Sequence, residues 1–278
     1  MAQTWLITGA ARGIGLHIVK AALAAGHNVV ATARKPAAIV EALGSESEHL
    51  LTLPLDVTDY PQVEGAIHAA QARFGRIDVL VNNAGYGLLG PFEEHSREAG
   101  QAQFATNVFG LFDVCRAVLP IMRQQRAGHI FNIASIAGVM GMPGASLYCA
   151  SKFAVSGFSE ALAQEVAGLG IKVTVVQPGA FQTDFLDPSS AQFGFNPIDD
   201  YQALATQIKT SSEQNNHKQQ GDPAKLAAAL LQLANAPQAP SRFLAGADAL
   251  KAARYRVKSL QAEMDAWQEL SVATAADQ

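Results

Sequence analysis

The sequence has few cysteines, few charged residues and no long basic run, and each shortage excludes a class of protein. Two cysteines, Cys115 and Cys149, are too few for a disulfide framework or a structural zinc site. Charged residues make up 16% of the chain and the formal net charge is -4, which does not suit a surface that follows a phosphate backbone. The histidines are scattered along the sequence. We therefore expect neither nucleic acid nor a metal ion as a partner.

Long apolar runs and targeting signals are scarce as well. The best candidate for a membrane span, residues 108–122, contains Asp113, Arg116 and Pro120 and is shorter than the roughly 20 apolar residues that a bilayer requires. The chain enters a strand-like run at Thr4 without the basic, apolar and cleavage regions of a signal peptide. The expected location is the cytoplasm, with no membrane contact.

Hydrophobic residues are abundant, at 49%, and they alternate between short strand-like runs and longer helical stretches. Runs such as Val79-Leu80-Val81 are apolar throughout, which is typical of strands covered by helices on both faces. The pattern predicts a single α/β domain over residues 1–278, with a doubly wound parallel sheet (a Rossmann fold) and helices on both faces. The expected strands are 4–8, 28–32, 50–55, 77–82, 129–134 and 172–177, and the expected helices are 13–25, one from 36, 59–74, 96–126 and 148–167.

The pattern loosens beyond Gly179. Residues 180–220 mix aromatic side chains with a polar tract, and a connection of this length predicts a substrate-binding loop or a set of short helices. A helix is expected at 222–234, with Asp222 as its N-cap. Two prolines then interrupt the chain before an amphipathic C-terminal helix at about 248–272.

A glycine-rich turn follows the first predicted strand and opens a helix. It reads Thr8-Gly9-Ala10-Ala11-Arg12-Gly13-Ile14-Gly15. The N–H groups of a helix N-terminus point outward, the helix dipole favours negative charge, and residues without a Cβ let a pyrophosphate approach. A glycine-rich turn alone is a weak signal, because such turns also simply connect elements. Its place after the first strand of an alternating chain favours a dinucleotide site.

The spacing Thr-Gly-x-x-x-Gly-x-Gly, together with Asn82-Asn83-Ala84-Gly85 after the fourth strand, resembles the short-chain dehydrogenase/reductase family. The resemblance covers roughly residues 4–185 and is most similar to the 17β-hydroxysteroid dehydrogenase-like branch, because of the run Ala31-Thr32-Ala33-Arg34 and the long C-terminal helix. It implies that Asp56 and Val57 contact adenine and that Thr183 meets the nicotinamide carboxamide. The implied cofactor contacts are Gly9, Arg12, Gly13, Ile14, Gly15, Arg34, Asp56, Val57, Asn83, Ala84, Gly85, Tyr148, Lys152, Pro178, Gly179 and Thr183.

The end of the second predicted strand discriminates NAD from NADP, because it lies beside the adenosine ribose. An acidic residue there accepts a hydrogen bond from the 2′-hydroxyl, whereas an arginine attracts a 2′-phosphate. The sequence has Arg34 and Lys35 at this point and no acid, and Arg12 in the glycine turn is a further cation. This favours NADP(H) as the cofactor; the alternative is that Arg34 and Lys35 form a solvated surface pair.

Tyr148 and Lys152 lie four residues apart on a predicted helix, so their side chains share one face. A tyrosine with its ordinary pKa of about 10 is a slow acid or base at neutral pH, whereas a cation ~4 Å away contributes up to ~4 kcal/mol, or ~3 pKa units. Lys152 is therefore expected to move the pKa of Tyr148 towards about 7. By the resemblance, Ser135 orients the substrate oxygen, and Asn107 holds a water that relays protons from Lys152.

These residues predict an NADP(H)-dependent oxidoreductase of the carbonyl reductase or alcohol dehydrogenase type, which interconverts an apolar ketone or aldehyde with its alcohol. The substrate pocket is expected between residues 86–89, 136–147 and 180–220. The apolar side chains expected to line it are Met140, Met142, Phe181 and Phe185.

Other interpretations were weighed against this one. A nucleotide-sugar epimerase usually has a different glycine spacing and a larger C-terminal domain, and both are absent here. A non-catalytic NADP-sensing regulatory protein on the same fold is the main alternative, although such proteins often lose the tyrosine or the lysine. The family commonly pairs subunits through two long central helices, here 96–126 and 148–167, which implies a homodimer or homotetramer.

Overall fold

Parallel strands form the centre of the protein. The computed structural model describes residues 2–44, 47–187, 190–194 and 196–276. The strands are β1 (Thr4–Ile7), β2 (Asn28–Ala33), β3 (Leu50–Pro54), β4 (Val79–Asn82), β5 (Gly87–Leu89), β6 (Gly128–Ile133), β7 (Ile171–Pro178), β8 (Ala191–Phe193) and β9 (Arg242–Ala245). Within the described residues, seven of them form one parallel sheet in the order β3-β2-β1-β4-β6-β7-β9, and β5 pairs with β8 in a small parallel sheet.

Helices connect these strands and flank the large sheet. They are α1 (Gly13–Ala24), α2 (Ala37–Leu43), α3 (Tyr60–Phe74), α4 (Arg97–Phe104), α5 (Gly110–Gln125), α6 (Ser146–Val166), α7 (Gln202–Asn215), α8 (Pro223–Asn235) and α9 (Ala247–Val272). A π-helical stretch, Ala105–Phe109, joins α4 to α5 without a break. As predicted, the Asp222 carboxylate caps α8 by accepting from the backbone N–H groups of Ala224 and Lys225.

Hydrophobic side chains bury both faces of the large sheet. Successive strand residues point to opposite faces, so Trp5 and Ile7 of β1 belong to one core cluster and Leu6 belongs to the other. The first cluster includes Ile18 of α1 and Leu226 of α8. The second includes residues of α3, α5 and α6. The predicted doubly wound α/β fold is confirmed.

The strand order reverses its direction at β1. This strand pairs with β2 on one side and with β4 on the other, and Ile7 lies opposite both Ala31 and Val81. In open α/β sheets, such a reversal leaves a crevice at the carboxyl ends of the strands, where ligands bind. The glycine-rich turn leaves β1 at this crevice.

Four elements were missed or only vaguely expected from the sequence. Strands β5 and β8 are too short to show a period. Strand β9 follows two prolines but still pairs with β7, where Arg242 lies opposite Val175. Helix α7 covers most of the polar tract that left the substrate-loop region without a definite prediction, because its exposed side chains carry little apolar periodicity.

The long helix between β5 and β6 corrects the sequence interpretation in one respect. The continuous helical stretch Arg97–Gln125 is long and apolar enough, by length and composition, to cross a membrane. Val114, Val118 and Met122 on it are fully buried in the core below the sheet. The apolar residues on this face of the stretch therefore belong to the core of the fold, whereas Phe109 on the same stretch is exposed.

Candidate active site

The glycine turn after β1 is fastened to the segment that follows β4. Asn83 Nδ2 donates to the carbonyl oxygens of Thr8 (3.0 Å) and Gly9 (2.9 Å). Thr8 Oγ1 accepts from the backbone N–H groups of Asn83 (3.0 Å) and Ala84 (3.1 Å). These hydrogen bonds hold the turn from one side, so the Asn83 side chain shapes the predicted cofactor site by positioning its backbone.

Three glycines of the turn are required by its geometry. Gly9 and Gly13 have φ angles of 64° and 53°, in the left-handed region that disfavours other residues. A Cβ on Gly15 would lie 2.5 Å from Gly9 O and 2.6 Å from Asn83 Nδ2. A Cβ on Gly13 would lie 3.4 Å from Thr183 Cβ, which places the predicted carboxamide-binding residue beside the turn.

The N-terminus of α1 suits an anion. Its first turn contains no acidic residue, and Arg12, the predicted phosphate partner, occupies the N-cap position. Ile14, also predicted to contact the cofactor, packs its side chain against the core cluster beneath α1. Its contribution to a nucleotide would therefore come from its backbone. A helix N-terminus of this kind carries a partial positive charge that stabilises phosphate oxygens.

The predicted adenosine contacts lie at the ends of β2 and β3. Arg34 is exposed just beyond β2. Burial tends to raise the pKa of Asp56, but hydrogen bonds from Thr58 and the charge of Arg34 outweigh it and lower the pKa. The Asp56 carboxylate therefore stays ionised and near Arg34. Val57 is buried, and a Cβ on Gly110 would lie 2.7 Å from its Cγ2 and 2.8 Å from its backbone oxygen, so Val57 packs closely against the start of α5.

The predicted catalytic residues Ser135, Tyr148 and Lys152 come together at the carboxyl end of β6. Ser135 follows β6 and hydrogen-bonds Tyr148. Lys152 Nζ donates to the carbonyl oxygen of Ile133 at 2.9 Å and lies 5.8 Å from the centre of the Tyr148 ring. Tyr148 and Lys152 are both more than nine-tenths buried. The arrangement places a phenol, a hydroxyl and a buried ammonium group around one point.

Burial shifts the pKa of Tyr148 upward, whereas the sequence predicted a downward shift. Loss of solvent raises the pKa of Tyr148 to about 12, although the hydrogen bond with Ser135 works in the other direction. Burial also lowers the pKa of Lys152 to about 8. The expectation that Lys152 brings the phenol towards neutrality is wrong for this structure, because desolvation is the largest influence and the ammonium hydrogen-bonds Ile133. The phenol is held in its protonated form.

Asn107 lies in the π-helical stretch, where such irregularities are frequent at functional sites. Its Oδ1 accepts from Tyr86 N (3.1 Å), and its Nδ2 donates to Tyr86 O (3.0 Å) and Ser151 Oγ (3.2 Å). The side chain thus holds the segment after β4 against α6. A Cβ on Gly85 would lie 3.1 Å from Asn107 Oδ1 and 3.6 Å from Lys152 Nζ, so Gly85 admits both groups.

An apolar cluster covers Tyr148. The ring of Phe185 lies 5.5 Å from that of Tyr148, and Leu89 and Met142 pack against the same cluster. A Cβ on Gly87 would lie 2.9 Å from Phe185 Cζ, so the phenyl ring fits only because this position is glycine. Phe181, which was predicted to line the same pocket, instead packs with the core cluster beneath α1, because its backbone pairs with Gly221.

Sequence reasoning missed Asp248, which fixes the start of the substrate-loop region. Its Oδ2 accepts from the backbone N–H of Ala180 at 2.7 Å, while Gly179 N donates to Ala245 O at 2.9 Å. A Cβ on Gly179 would lie 2.2 Å from the carboxylate oxygens, so Pro178 and Gly179 pass close beneath α9. Without the prediction of β9, nothing in the sequence placed Asp248 beside this loop.

Glu94 anchors the far part of the same region and was also missed. It is buried, its Oε1 accepts from Ile198 N (3.2 Å), and its backbone oxygen accepts from Asn196 N (3.3 Å). The neighbouring Glu93 hydrogen-bonds the Tyr201 hydroxyl. The substrate-loop region is therefore closed over the segment that follows β5.

A surface cavity of about 790 Å³ lies next to the catalytic helix but does not include the predicted catalytic residues. Its lining comes from the segment before α4, from the outer face of α4 and from Leu147 at the start of α6. The residues include Phe92, His95, Phe104, Phe109 and Leu147. The candidate active site is therefore identified by the positions of Tyr148 and the glycine turn, and not by the volume of this cavity.

One group of metal-ligand side chains was not expected from the scattered histidines. The ligand atoms of Asp184, Asp187 and His217 all lie within 4.8 Å of one another. His217 Nε2 lies 3.2 Å from Asp187 Oδ1, and both side chains are substantially exposed. The contact between His217 and Asp187 brings two of the three side chains together at the surface.

Known proteins resemble this chain over most of its length. Residues 3–193 match the short chain dehydrogenase family. The oxidoreductase BOA17 of Botryotinia fuckeliana is 41% identical over 276 residues, which cover 99% of this chain and 100% of that protein. The 3-ketodihydrosphingosine reductase of Bacteroides thetaiotaomicron is 46% identical over 185 residues, 66% of each chain.

Solved structures agree in fold. A short-chain dehydrogenase from Streptomyces avermitilis has a TM-score of 0.90 and 36% identity, with 99% of both chains covered. ElxO, solved with NADP, has a TM-score of 0.72 and 29% identity, covering 87% of this chain and 96% of its own. A Burkholderia phymatum protein solved with NAD has a TM-score of 0.83 at 24% identity, covering 94% of this chain and 95% of its own, and shares the fold.

Proposed function

Because the chain belongs to the short-chain dehydrogenase family and is an oxidoreductase of that type, we propose that it is an NADP(H)-dependent enzyme that interconverts an apolar ketone or aldehyde with the corresponding alcohol. The observation that carries the proposal is the convergence of Ser135, Tyr148 and Lys152 at the carboxyl end of β6. We also propose that it belongs to the 17β-hydroxysteroid dehydrogenase-like branch of the family, because of the run Ala31-Thr32-Ala33-Arg34 and the long helix α9.

The residues around the crevice fit a dinucleotide. The turn has no room for a side chain at Gly15, and the first turn of α1, which carries no acidic residue, would offer its N–H groups to a pyrophosphate. Thr183 lies beside Gly13 and would meet the nicotinamide carboxamide, and Lys152, which lies beside Gly85, would hold the ribose next to it. When bound, the nicotinamide supplies or accepts the hydride.

NADP rather than NAD is supported by charge. Arg34 is exposed just beyond β2, where the adenosine ribose of a dinucleotide would lie, and Arg12 occupies the N-cap position of α1. A 2′-phosphate would gain charge-assisted hydrogen bonds from arginine. The end of β2 itself carries no acid for a 2′-hydroxyl, and the Asp56 carboxylate, which interacts with the charge of Arg34, follows β3. The NADP complex of ElxO, at 29% identity, is consistent with this preference.

In the direction of reduction, Tyr148 acts as the acid. Ser135 donates to the substrate carbonyl oxygen and holds it against the Tyr148 hydroxyl. As the carbonyl carbon takes up hydride, the oxygen becomes an alkoxide, which is a much stronger base than phenolate. The Tyr148 proton moves to it, and a pKa of about 12 ensures that the phenol carries that proton at neutral pH. The ammonium of Lys152 then stabilises the phenolate until it is protonated again.

The substrate is proposed to be apolar because apolar groups surround the reacting phenol. Leu89, Met142 and Phe185 offer no charged or hydrogen-bonding side chain, and the polar end of the substrate would be recognised by Ser135 and Tyr148. The Bacteroides relative is a reductase named for a keto substrate, which supports a ketone.

We propose that the protein is a homodimer or homotetramer in the cytoplasm, paired through the stretch Arg97–Gln125 and α6. Large apolar side chains of these helices are exposed, Phe109 on the first and Phe153 on the second. Phe109 and Phe112 pack edge to face, and Phe112 packs on Phe158, which forms an aromatic surface across the two helices. Such a surface suits burial against another subunit.

The test is a titration of the purified protein with NADPH and with NADH, followed by turnover assays on apolar ketones and aldehydes. We expect tighter binding of NADPH and a turnover that Tyr148→Phe abolishes while nucleotide binding is kept. Tight binding of NADPH with no turnover on a broad panel would favour the NADP-sensing alternative. Failure to bind either nucleotide would overturn the proposal.

A further inference from the structure

The C-terminal helix α9 carries an apolar stripe at the spacing of a coiled coil. Its members alternate by three and four residues, and the large ones are between 43% and 67% exposed. They are Leu250, Ala253, Val257, Leu260, Met264 and Trp267, which we call the α9 stripe. Alternation by three and four keeps side chains on one seam that packs against a second helix.

The rest of the subunit leaves most of this seam uncovered. The helix contacts its own chain through a neighbouring face, where Ala249 is buried and Ala252, Arg256 and Ser259 are half-buried, and Ala253 is the stripe member that is half-buried beside that face. From Leu260 to Val272 every residue is exposed. Among the residues that the structure describes, the second half of the stripe therefore has no apolar partner.

Charge is divided between the two halves of α9. Apart from Asp248, whose carboxylate accepts from Ala180 N, the acids Glu263, Asp265 and Glu269 lie in the second half, and the cations Lys251, Arg254, Arg256 and Lys258 lie in the first. Two parallel copies of this helix would place like charges side by side. Two antiparallel copies would place each basic half against an acidic half, so the helix is complementary to itself in one orientation only.

In the antiparallel orientation, one register of the two helices matches both the flanking charges and the sizes of the stripe side chains. Arg256 and Glu263 are seven residues apart and flank the stripe at equivalent heptad positions, and such positions face one another in an antiparallel pair. When Arg256 of one copy faces Glu263 of the other, the stripe pairs small residues with large ones. The layers are Leu250 with Trp267, Ala253 with Met264 and Val257 with Leu260.

We infer that α9 forms an antiparallel two-helix interface with α9 of a second copy of this chain. This interface is separate from the aromatic surface of the central helices and does not depend on the proposed activity. A lipid surface is a poorer occupant, because membrane-surface helices carry a basic polar face whereas half of α9 is acidic. Two interfaces per subunit would build a tetramer from dimers.

The first test compares two substitutions on the same helix. Val257 lies in the stripe and Tyr255 lies on another face, and their side chains are exposed to similar extents, 67% and 65%. Val257→Glu is expected to halve the mass of the full-length assembly measured by light scattering, and Tyr255→Glu is expected to leave it unchanged. An unchanged mass for Val257→Glu, or a monomeric wild-type protein, would overturn the inference.

The second test addresses the orientation of the two helices. Arg256→Glu makes both flanking positions acidic and Glu263→Arg makes both basic. Each variant alone is expected to raise the dissociation constant at least tenfold at low salt, and an equimolar mixture is expected to restore the wild-type value. Within one chain, Arg256 and Glu263 also lie 3.5 Å apart, but mixing cannot restore that contact. An unchanged constant for the single variants, or no recovery on mixing, contradicts the antiparallel pairing.

Discussion

The ring of Phe185 lies against the ring of Tyr148, with centroids 5.5 Å apart and planes inclined at 48°. This contact excludes water from the phenol and contributes to the burial that raises the pKa of Tyr148 to about 12. An apolar substrate would meet Phe185 before it reached the hydroxyl. Phe185 therefore connects the substrate-loop region with the chemistry of the site.

Phe185→Ala is expected to raise KM for apolar substrates about tenfold, because burying a phenyl group contributes roughly 1.5–3 kcal/mol and only part of it is lost to each substrate. Phe185→Leu should recover most of the affinity. Steady-state kinetics on a series of ketones of increasing length measures the effect. Phe92→Ala is the control, since Phe92 is exposed and lines the 790 Å³ surface cavity. A larger effect of Phe92→Ala would place the substrate in that cavity.

Gly15→Ala is expected to weaken NADPH binding and to destabilise the fold by about 1–3 kcal/mol, since its Cβ would meet Gly9 O and Asn83 Nδ2. Gly65→Ala is the matched control, because Gly65 is also helical and a Cβ there meets nothing within 4 Å. That control should be neutral or stabilising by up to roughly 1 kcal/mol. Denaturant unfolding and a nucleotide titration measure both quantities. Equal stability and equal NADPH affinity of the two variants would mean that the turn tolerates a side chain at position 15.

Arg34→Ala is expected to weaken NADPH binding by about 10- to 100-fold and to leave NADH binding nearly unchanged, because only NADPH carries the 2′-phosphate. Fluorescence titration of both nucleotides measures the ratio. Lys20→Ala removes a different exposed cation, on α1, and controls for the effect of net charge on nucleotide binding. If the binding of NADPH and the binding of NADH weaken equally, Arg34 does not contact the 2′-phosphate.

His129 is expected to make the fold sensitive to acid. Burial, reinforced by the charge of Lys172, lowers the pKa of His129 from 6.5 to about 3. Between these values the unfolded chain binds a proton that the folded chain does not, so stability is lost as the pH falls from 6.5 towards 3. The loss is on the order of 4 kcal/mol.

The free energy of unfolding, measured between pH 6.5 and pH 3, tests this prediction. His129→Gln should make that free energy depend less on pH. His49→Gln, which changes an exposed histidine, is the control and should leave the curve unchanged. A wild-type slope that survives His129→Gln would assign the acid sensitivity to other groups.

The sequence predicted the parts of the site that depend on residue type at a strand end. The glycine turn, Asn83 and the Tyr148–Lys152 spacing all follow from local sequence, because a helix face and a parallel strand end fix where they lie. It did not predict Asp248 or the contact between Gly87 and Phe185. These depend on β9 and on packing between segments far apart in sequence, which local periodicity does not encode.

Protonation was harder to anticipate than position. The sequence indicated that Lys152 and Tyr148 are neighbours, and a Coulomb estimate therefore lowered the pKa of the phenol. The structure adds the burial of both groups and the hydrogen bond from Lys152 to Ile133, which reverse the direction. Desolvation is a property of the packed fold and cannot be read from spacing alone.

The hydrogen bond from Asn83 to Gly9 joins residues that are 74 positions apart in the chain. Such a contact closes a long loop, and its entropic cost must be met before the contact adds stability. The turn takes its final shape once β1 and β4 have paired. The proposed nucleotide binding is therefore expected to appear during refolding with the pairing of these two strands rather than with the formation of individual helices.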